Sequence, residues 1–124
     1  MADDRLSFAR RCEDLAEAYL RRLGYRILVR NFHTRHGEID IIARDGADLV
    51  FVEVKGKRGL GFGFPQEMVT RSKMDRLIKT ALVYLDDAPR GGRSCRFDVV
   101  AVTAVGDSSP GIEHLKAAFG LGGG

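Results

Sequence analysis

The sequence predicts a single α/β domain in which helices cover a mixed β-sheet, with elements in the order α-β-β-β-α-β. The chain opens with an amphipathic helical pattern, and short β-branched strands separated by turn residues follow. A second helical pattern then stands before a last apolar strand. Because 124 residues support one hydrophobic core, we expect one domain over residues 1–119 and a flexible Gly-rich tail over residues 120–124.

The first helix is predicted over Asp4 to Leu23, where apolar residues recur at helical spacing among arginines and acids. Gly24 supplies a stop signal, since glycine readily takes the left-handed conformation that ends many helices. Apolar and polar residues alternate over residues 25–30, which predicts the first strand. Asn31 to Gly37 is predicted as a turn.

The next two strands are predicted to form a hairpin. They cover Glu38 to Arg44 and the β-branched stretch Leu49 to Lys55, and the segment between them contains an Asp-Gly turn signal. Gly56 to Phe64 is rich in glycine and basic residues and is therefore predicted as a mobile basic loop.

A second helix is predicted from about Ser72 to Asp86, with Ser72 as its N-cap. Cys95 to Thr103 is a strongly apolar strand. The last piece, Ile112 to Phe119, fits either a short edge strand or one helical turn. Asp98 interrupts the apolar strand and is either a buried, hydrogen-bonded acid or a group that supports a site from behind.

Composition limits the classes of partner. The apolar runs are far shorter than the about 20 residues of a membrane-spanning helix, and no signal-peptide pattern follows Met1. We therefore expect a cytoplasmic protein with no membrane partner, and we expect Cys12 and Cys95 to be buried, reduced thiols, with a disulfide as the alternative. A net charge of +3 and a pI near 9.1 permit a nucleic-acid partner without establishing one.

Charged residues interrupt the two strands of the hairpin. Side chains alternate between the two faces of a strand, so Glu38 and Asp40 share one face of their strand. By the same rule Glu53 and Lys55 share one face of the next strand, while the valines between them point to the other. The register of the hairpin then decides whether these groups meet.

Two registers bring the charges together. Pairing Arg44 with Ala47, or Asp45 with Asp48, puts Asp40 on the same face as both charges of the third strand. A slip of one residue would separate them. The second register places Asp40 directly opposite the acid of that strand, at a β-carbon distance of about 4.5 to 5.5 Å.

Two carboxylates this close need a positive charge beside them. Their repulsion is about 1 kcal/mol in water and rises to about 4 kcal/mol at an effective dielectric of 20. Lys55 supplies one positive charge, and Mg²⁺ held by Asp40 and Glu53 would supply more, which points to phosphodiester chemistry. Lys55 would then position the attacking water or stabilise developing negative charge. The alternative is a solvated ion network of these residues with no activity.

Four segments of the chain resemble the YraN-like family of small bacterial proteins, and the similarity runs from about Cys12 to Phe119. The family is similar in turn to the PD-(D/E)xK nuclease superfamily, which includes archaeal-type Holliday junction resolvases. The resemblance therefore implies a restriction-endonuclease-like fold. The segments are Gly37-Glu38-Ile39-Asp40, Leu49-Val50-Phe51-Val52-Glu53-Val54-Lys55, Phe62-Gly63-Phe64-Pro65 and Arg96-Phe97-Asp98-Val99-Val100.

The resemblance also implies roles for single residues. Matched to the motif of the superfamily, Asp40 and Glu53 become metal ligands and Lys55 the catalytic lysine. Glu13, on the first helix, matches an acidic position that helps to hold metal in resolvase-like relatives, although it also fits an exposed helix acid. Gly56 stands where a basic residue usually follows the lysine.

Basic residues after the motif are candidates for contacts with phosphate. They also fit a solvated helix face, because nearby acids dilute their charge. Phe62 and Phe64 are candidates for stacking on bases, or for folding onto the core. The basic candidates are Lys57, Arg58, Arg71, Lys73 and Arg76.

These expectations combine into a Mg²⁺-dependent endonuclease that acts on DNA, with Mn²⁺ as a possible substitute for Mg²⁺ and RNA as an alternative substrate. Selection of junctions or flaps by their structure fits the lack of a base-reading motif. A homodimer is expected, because a small nuclease that meets two strands needs two sites. The alternatives are a noncatalytic nucleic-acid-binding module and a protein-interaction adaptor with the same fold.

Overall fold

A computed structural model describes residues 4–58, 69–87, 94–104 and 110–120, which form one five-stranded sheet with a helix on each face. The predicted α/β class and order of elements are confirmed. The last piece is a strand, one of the two predicted alternatives. The elements are α1 (Asp4–Arg22), β1 (Arg26–Thr34), β2 (Gly37–Asp45), β3 (Asp48–Arg58), α2 (Arg71–Asp87), β4 (Cys95–Ala104) and β5 (Gly111–Phe119).

The strands lie in the order β1-β2-β3-β4-β5, so neighbours in sequence are neighbours in the sheet. Only β3 and β4 are parallel, and the other three pairs of strands are antiparallel. A parallel pair needs a crossover connection, and α2 lies in the segment that provides it. The sheet is therefore mixed, as the sequence predicts.

Each helix covers its own face of the sheet, so the strands are sandwiched between two hydrophobic cores. The core under α1 contains Cys12, Ala16 and Leu20, which are one helical turn apart, and alternate residues of β2, β3 and β4. The core under α2 contains Leu77 and Ala81 and aromatic residues of the sheet. The aromatic residues buried there are Phe51, Phe97 and Phe119.

The ends of the helices differ in how well the sequence predicts them. Gly24, at a φ of +96°, ends α1 as predicted, and the N–H of Tyr25 donates to the carbonyl of Leu20 at 3.0 Å. The predicted N-cap of α2 at Ser72 is wrong. Thr70 caps the helix, because its Oγ1 accepts a hydrogen bond from the N–H of Lys73 at 3.1 Å.

The first strand is longer than predicted. The turn expected over Asn31 to Gly37 is wrong for most of its length, because β1 continues to Thr34 and pairs with β2 up to Gly37. Asn31 has a φ of +54°, which an asparagine tolerates better than most residues. β1 is an edge strand whose outer part is largely solvated, so its apolar alternation fades although its backbone stays paired.

The third strand also runs past its predicted end. Gly56 was expected to begin a loop, but residues up to Arg58 stay paired with β4. A β-carbon on Gly56 would lie 2.6 Å from Sγ of Cys12 and 3.0 Å from Cε2 of Phe8, so only glycine fits against α1 here. The rest of the predicted loop, including Phe62 and Phe64, lies outside the described residues, as does the predicted tail beyond Gly120.

Within the described residues, neither helix is long and apolar enough to cross a membrane. Cys12 is buried and Cys95 is partly buried, and no disulfide joins the two.

Candidate functional site

The register of the β2–β3 hairpin is one of the two predicted. Asp45 pairs with Asp48, and the pairing continues to Ile41 and Val52. Beyond that point β2 and β3 no longer pair with each other, although β2 remains paired with β1 and β3 remains paired with β4. The predicted acids lie where this ladder ends. The alternative register, with Arg44 opposite Ala47, does not form.

Asp40 lies where the two strands part. Its Oδ2 accepts a hydrogen bond from the backbone N–H of Val54 at 2.7 Å, so the carboxylate of one strand binds the backbone of the other. Burial and the neighbouring charge of Glu53 raise the pKa of Asp40 to about 8, although the hydrogen bond from Val54 acts against this rise. The side chains of Asp40 and Glu53 are also within hydrogen-bonding reach of each other. The predicted meeting of these two acids is confirmed.

Glu53 is a buried acid, with 6% of its surface exposed. Its Oε2 forms an ion pair with the Nζ of Lys73, which extends from the first turn of α2. Burial lowers the pKa of Lys73, but the contacts with Glu53 and Lys55 outweigh it and raise the pKa above its usual value. We predicted Lys73 only as a phosphate contact, yet the structure places it against the candidate metal ligand.

Lys55 completes a group of two acids and two lysines. The neighbouring ammonium of Lys73 and partial burial lower the pKa of Lys55, while the charges of Glu53 and Asp40 act in the opposite direction. Lys55 therefore lies within reach of Lys73 on the α2 face of β3, as side-chain alternation from Glu53 requires.

An open cleft of about 530 Å³ adjoins these acids. It is lined by the β1–β2 turn, by the carboxylates and by the first two turns of α2. Positive side chains therefore flank the carboxylates on two sides, which suits an anionic substrate. The charged residues and the histidine that line it are Arg35, His36, Glu38, Asp40, Glu53, Lys73 and Arg76.

The chemistry of the donors fits a hard divalent cation. In the described residues, no three histidine, cysteine, aspartate or glutamate side chains lie close enough to hold a metal by themselves. Mg²⁺, however, is often held by one or two carboxylates and completes its shell with waters and substrate phosphates. Asp40 and Glu53 supply two such carboxylates at the edge of an open cleft, so Mg²⁺ fits this pair of residues.

Glu13, the predicted third ligand, is engaged elsewhere. Its Oε1 accepts a hydrogen bond from Nη2 of Arg30 at 3.3 Å. In the amide orientation that satisfies both neighbours, Asn31 donates to Glu13 at 3.1 Å and to Glu38 at 2.9 Å. The charge of Glu13 contributes to the raised pKa of Asp40, but a role as a ligand stays a prediction.

The other predicted phosphate contacts lie around the cleft or at its approaches. Arg71 is exposed at the first residue of α2, and Arg76 is exposed one turn beyond Lys73 and lines the cleft. Lys57 is partly buried near the end of β3. Arg58 is the last residue of that strand, and its side chain lies outside the described part of the chain.

Asp98 is a buried, hydrogen-bonded acid, the first of its two predicted alternatives. It is 1% exposed and belongs to a network on the α1 side of the sheet. His114 lies 2.8 Å from Oδ2, and Oδ1 accepts hydrogen bonds from Nε of Arg96 and from the N–H of Ala117, both at 3.0 Å. Burial would raise the pKa of Asp98, but these hydrogen bonds and the charge of Arg96 lower it.

Arg96 connects this network to the turn of the hairpin. Its guanidinium contacts Asp45 at 2.8 Å and Asp48 at 2.9 Å, and it donates to the hydroxyl of Tyr25 at 2.6 Å. No role for Arg96 is predicted from the sequence. The signal that could have revealed it is a second charge two residues before Asp98, on the same face of a buried strand.

Comparisons with known proteins identify relatives from one family. Residues 12–102 match the family described as "Uncharacterised protein family UPF0102". The UPF0102 protein of Geobacter sulfurreducens is 51% identical over 111 residues, which cover 90% of this chain and 87% of that protein. The UPF0102 protein of Nocardia farcinica is 47% identical over 107 residues, which cover 86% of this chain and 84% of that protein. The UPF0102 protein of Syntrophotalea carbinolica is 44% identical over 123 residues, or 99% of each chain.

Proposed function

This chain belongs to the UPF0102 family, which is the YraN-like family that its motifs resemble, and we propose that it is a Mg²⁺-dependent phosphodiester hydrolase acting on nucleic acid. The observation that carries the proposal is the contact group of Asp40, Glu53, Lys55 and Lys73 beside an open cleft. Two neighbouring acids and two lysines combine the charges that a metal and a phosphate require.

The proposed chemistry assigns each group a task. Asp40 and Glu53 hold Mg²⁺, or Mn²⁺ in its place, and the bound ion supplies charge that polarises the phosphoryl group and acidifies the attacking water. Lys55 positions this water or stabilises the negative charge that develops on the phosphoryl oxygens. The N–H of Val54 holds the carboxylate of Asp40 in place before the substrate arrives. Binding the metal and the substrate therefore does not cost the entropy of ordering this side chain.

The proposed substrate is DNA, with RNA as the alternative. Support comes from the cationic residues that line the cleft and from the exposed guanidinium of Arg71 at the start of α2. Selection by structure, such as a junction or flap, belongs to the same proposal, as do a homodimer and a cytoplasmic location. A relation to the PD-(D/E)xK nucleases is supported by the order of elements and by an acid on β2 that interacts with an acid and a lysine on β3.

A noncatalytic nucleic-acid-binding module is the second candidate. The observation that favours it is the ion pair between Lys73 and Glu53, which compensates one buried acid without any metal. In that case the cleft would bind phosphate through its basic residues, and the acids would serve only the fold.

The two candidates are separated by cleavage and binding assays on single-stranded, duplex, flap and four-way DNA with Mg²⁺ and with Mn²⁺. A hydrolase cuts at least one substrate, and Lys55→Ala abolishes cutting while largely sparing binding. Binding by the wild type with no cutting of any substrate would favour the noncatalytic module. Binding that is absent or insensitive to salt would favour a protein-interaction adaptor, since phosphate recognition weakens as salt rises.

A further inference from the structure

Lys73 occupies the side of Glu53 that faces the cleft. Its Nζ contacts Oε2 of Glu53, and Lys73, Glu53 and Asp40 all line the same cleft. Asp40 is held by the backbone N–H of Val54, which donates to its Oδ2. The ammonium of Lys73 therefore lies at the carboxylate of Glu53, in the cleft from which a metal or a phosphate would arrive.

The geometry points to Lys73 as a tethered counter-ion of the metal site: it neutralises Glu53 while no metal is bound, and it leaves that carboxylate when a divalent cation binds. This inference rests on the proposed function, because it needs Asp40 and Glu53 to be metal ligands. It adds a positioning residue on α2 to a site whose other members lie on β2 and β3.

Competition between the two cations follows from the contact itself. An ammonium in direct contact with Oε2 of Glu53 occupies space beside that oxygen, and a metal ligated by the same carboxylate would stand close enough to repel it. Glu53 is buried and lies beside Asp40, so a cation at this carboxylate stabilises its charged form. Lys73 provides that cation until the metal replaces it.

The lysine can leave without any change in the fold. The N–H of Lys73 is held by Oγ1 of Thr70 at 3.1 Å, so the backbone at this position is anchored by the helix cap. Only the flexible four-carbon stem needs to move. Because Lys73 lines the cleft next to Arg76, the released ammonium remains beside any phosphate that enters.

The inference is tested on the wild-type protein by measuring how fast each lysine is acetylated by acetic anhydride, with mass spectrometry, in the absence and presence of saturating Mg²⁺ or Ca²⁺. Lys79, which is exposed on the same helix, serves as the internal reference. We expect the metal to speed acetylation of Lys73 several-fold and to leave Lys79 unchanged. In Glu53→Gln, Lys73 should react fast without metal and should not respond to it.

Calorimetric titration with Mn²⁺ gives an independent readout. Lys73→Met should bind Mn²⁺ about tenfold tighter than the wild type, because the competing charge is gone. The matched control Lys79→Met, which removes the same charge from an exposed position, should bind like the wild type.

The outcomes separate the inference from the function on which it rests. If the wild type binds metal but the acetylation rate of Lys73 does not change, Lys73 is not the counter-ion of Glu53, and the proposed metal site is unaffected. Absence of binding to both the wild type and Lys73→Met overturns the metal site and the counter-ion together. Binding to Lys73→Met alone supports the counter-ion, since Lys73 would then be a strong competitor.

Discussion

The carboxylate of Asp40 accepts a hydrogen bond of 2.7 Å from the backbone N–H of Val54, at the point where β2 and β3 stop pairing. A side chain thus takes over the connection between the strands where the backbone ladder ends. The contact also fixes Asp40 beside Glu53, which brings two acids together at some electrostatic cost. The same residue therefore serves the fold and the candidate site.

The two roles of Asp40 predict different effects for two substitutions. Asp40→Asn keeps an oxygen that accepts from Val54 and removes the cost of an acid whose pKa is raised by burial and by Glu53, so metal-free protein should be as stable as the wild type or more so. Asp40→Ala loses the acceptor and should lower the free energy of unfolding by about 1 kcal/mol. Urea denaturation at pH 7 measures both values. Equal losses in the two variants would contradict the proposed hydrogen-bonding role.

Both variants should lose cleavage activity, because neither retains a carboxylate for Mg²⁺. We expect the rate on any DNA that the wild type cuts to fall by about a hundredfold or more in each case. A substantial rate in Asp40→Asn would show that Asp40 is not a metal ligand.

Gly56 is predicted to be required for the approach of α1 to the sheet. A β-carbon there would lie 2.6 Å from Sγ of Cys12, so Gly56→Ala should lower the free energy of unfolding by about 1–3 kcal/mol. Gly120→Ala, whose β-carbon would meet nothing within 4 Å, is the control and should be nearly neutral.

A double-mutant cycle identifies the atom responsible. With Cys12→Ala in place the sulfur is gone, and the further cost of Gly56→Ala should fall by about 1 kcal/mol. Additive costs in urea denaturation would mean that α1 shifts as a whole and that the sulfur is not the obstacle.

The Asp98 network predicts a loss of stability in acid. The hydrogen bonds from His114 and Arg96 lower the pKa of Asp98 in the folded protein below its value in the unfolded chain. Its contribution is therefore fully present above the unfolded value and is lost as pH falls through the folded one, which places the window below about pH 4.

Asp98→Asn tests this directly. At pH 7 the variant should be less stable by about 3 kcal/mol, because Arg96 loses its buried acidic partner, and Asp45 and Asp48, its other two acids, are more exposed. The difference from the wild type should shrink as urea denaturation is repeated from pH 5 down to pH 3. A constant difference over that range would rule out ionised Asp98 as its source.

Arg76 is predicted to contact phosphate and Lys79 is not. Arg76 lines the cleft one turn after Lys73, whereas Lys79 is exposed on the same helix and does not line it. Arg76→Gln should weaken DNA binding and reduce the slope of log K against log salt by about 0.9. Lys79→Gln should leave both nearly unchanged. Fluorescence anisotropy over a range of salt concentrations measures the slope for each protein. The same slope for Arg76→Gln and the wild type would mean that the cleft is not the binding surface.

Local sequence patterns predicted most of the strands and helices of the fold. Alternation and the Asp-Gly turn narrowed the hairpin to two registers, both of which bring Asp40 to the face of Glu53, because both signals depend on neighbouring residues in the chain. Solvated or tightly packed positions were harder to predict. The outer half of β1 was not predicted as a strand, because this edge strand lacks a clear apolar alternation there. Gly56 was predicted to begin a loop, but it lies in β3, where α1 approaches the sheet closely.

The sequence by itself determined the order of the first six elements and narrowed the hairpin to two registers, both of which put Asp40 on the same face as Glu53 and Lys55, since short-range periodicity and turn chemistry control these features. The structure selected the register that pairs Asp45 with Asp48.

Only the tertiary structure decided which charges from distant elements complete the site. It placed Lys73 against Glu53 and engaged Glu13 with Arg30, because the docking of each helix on the sheet selects these contacts. Charge and spacing along the chain do not encode that docking.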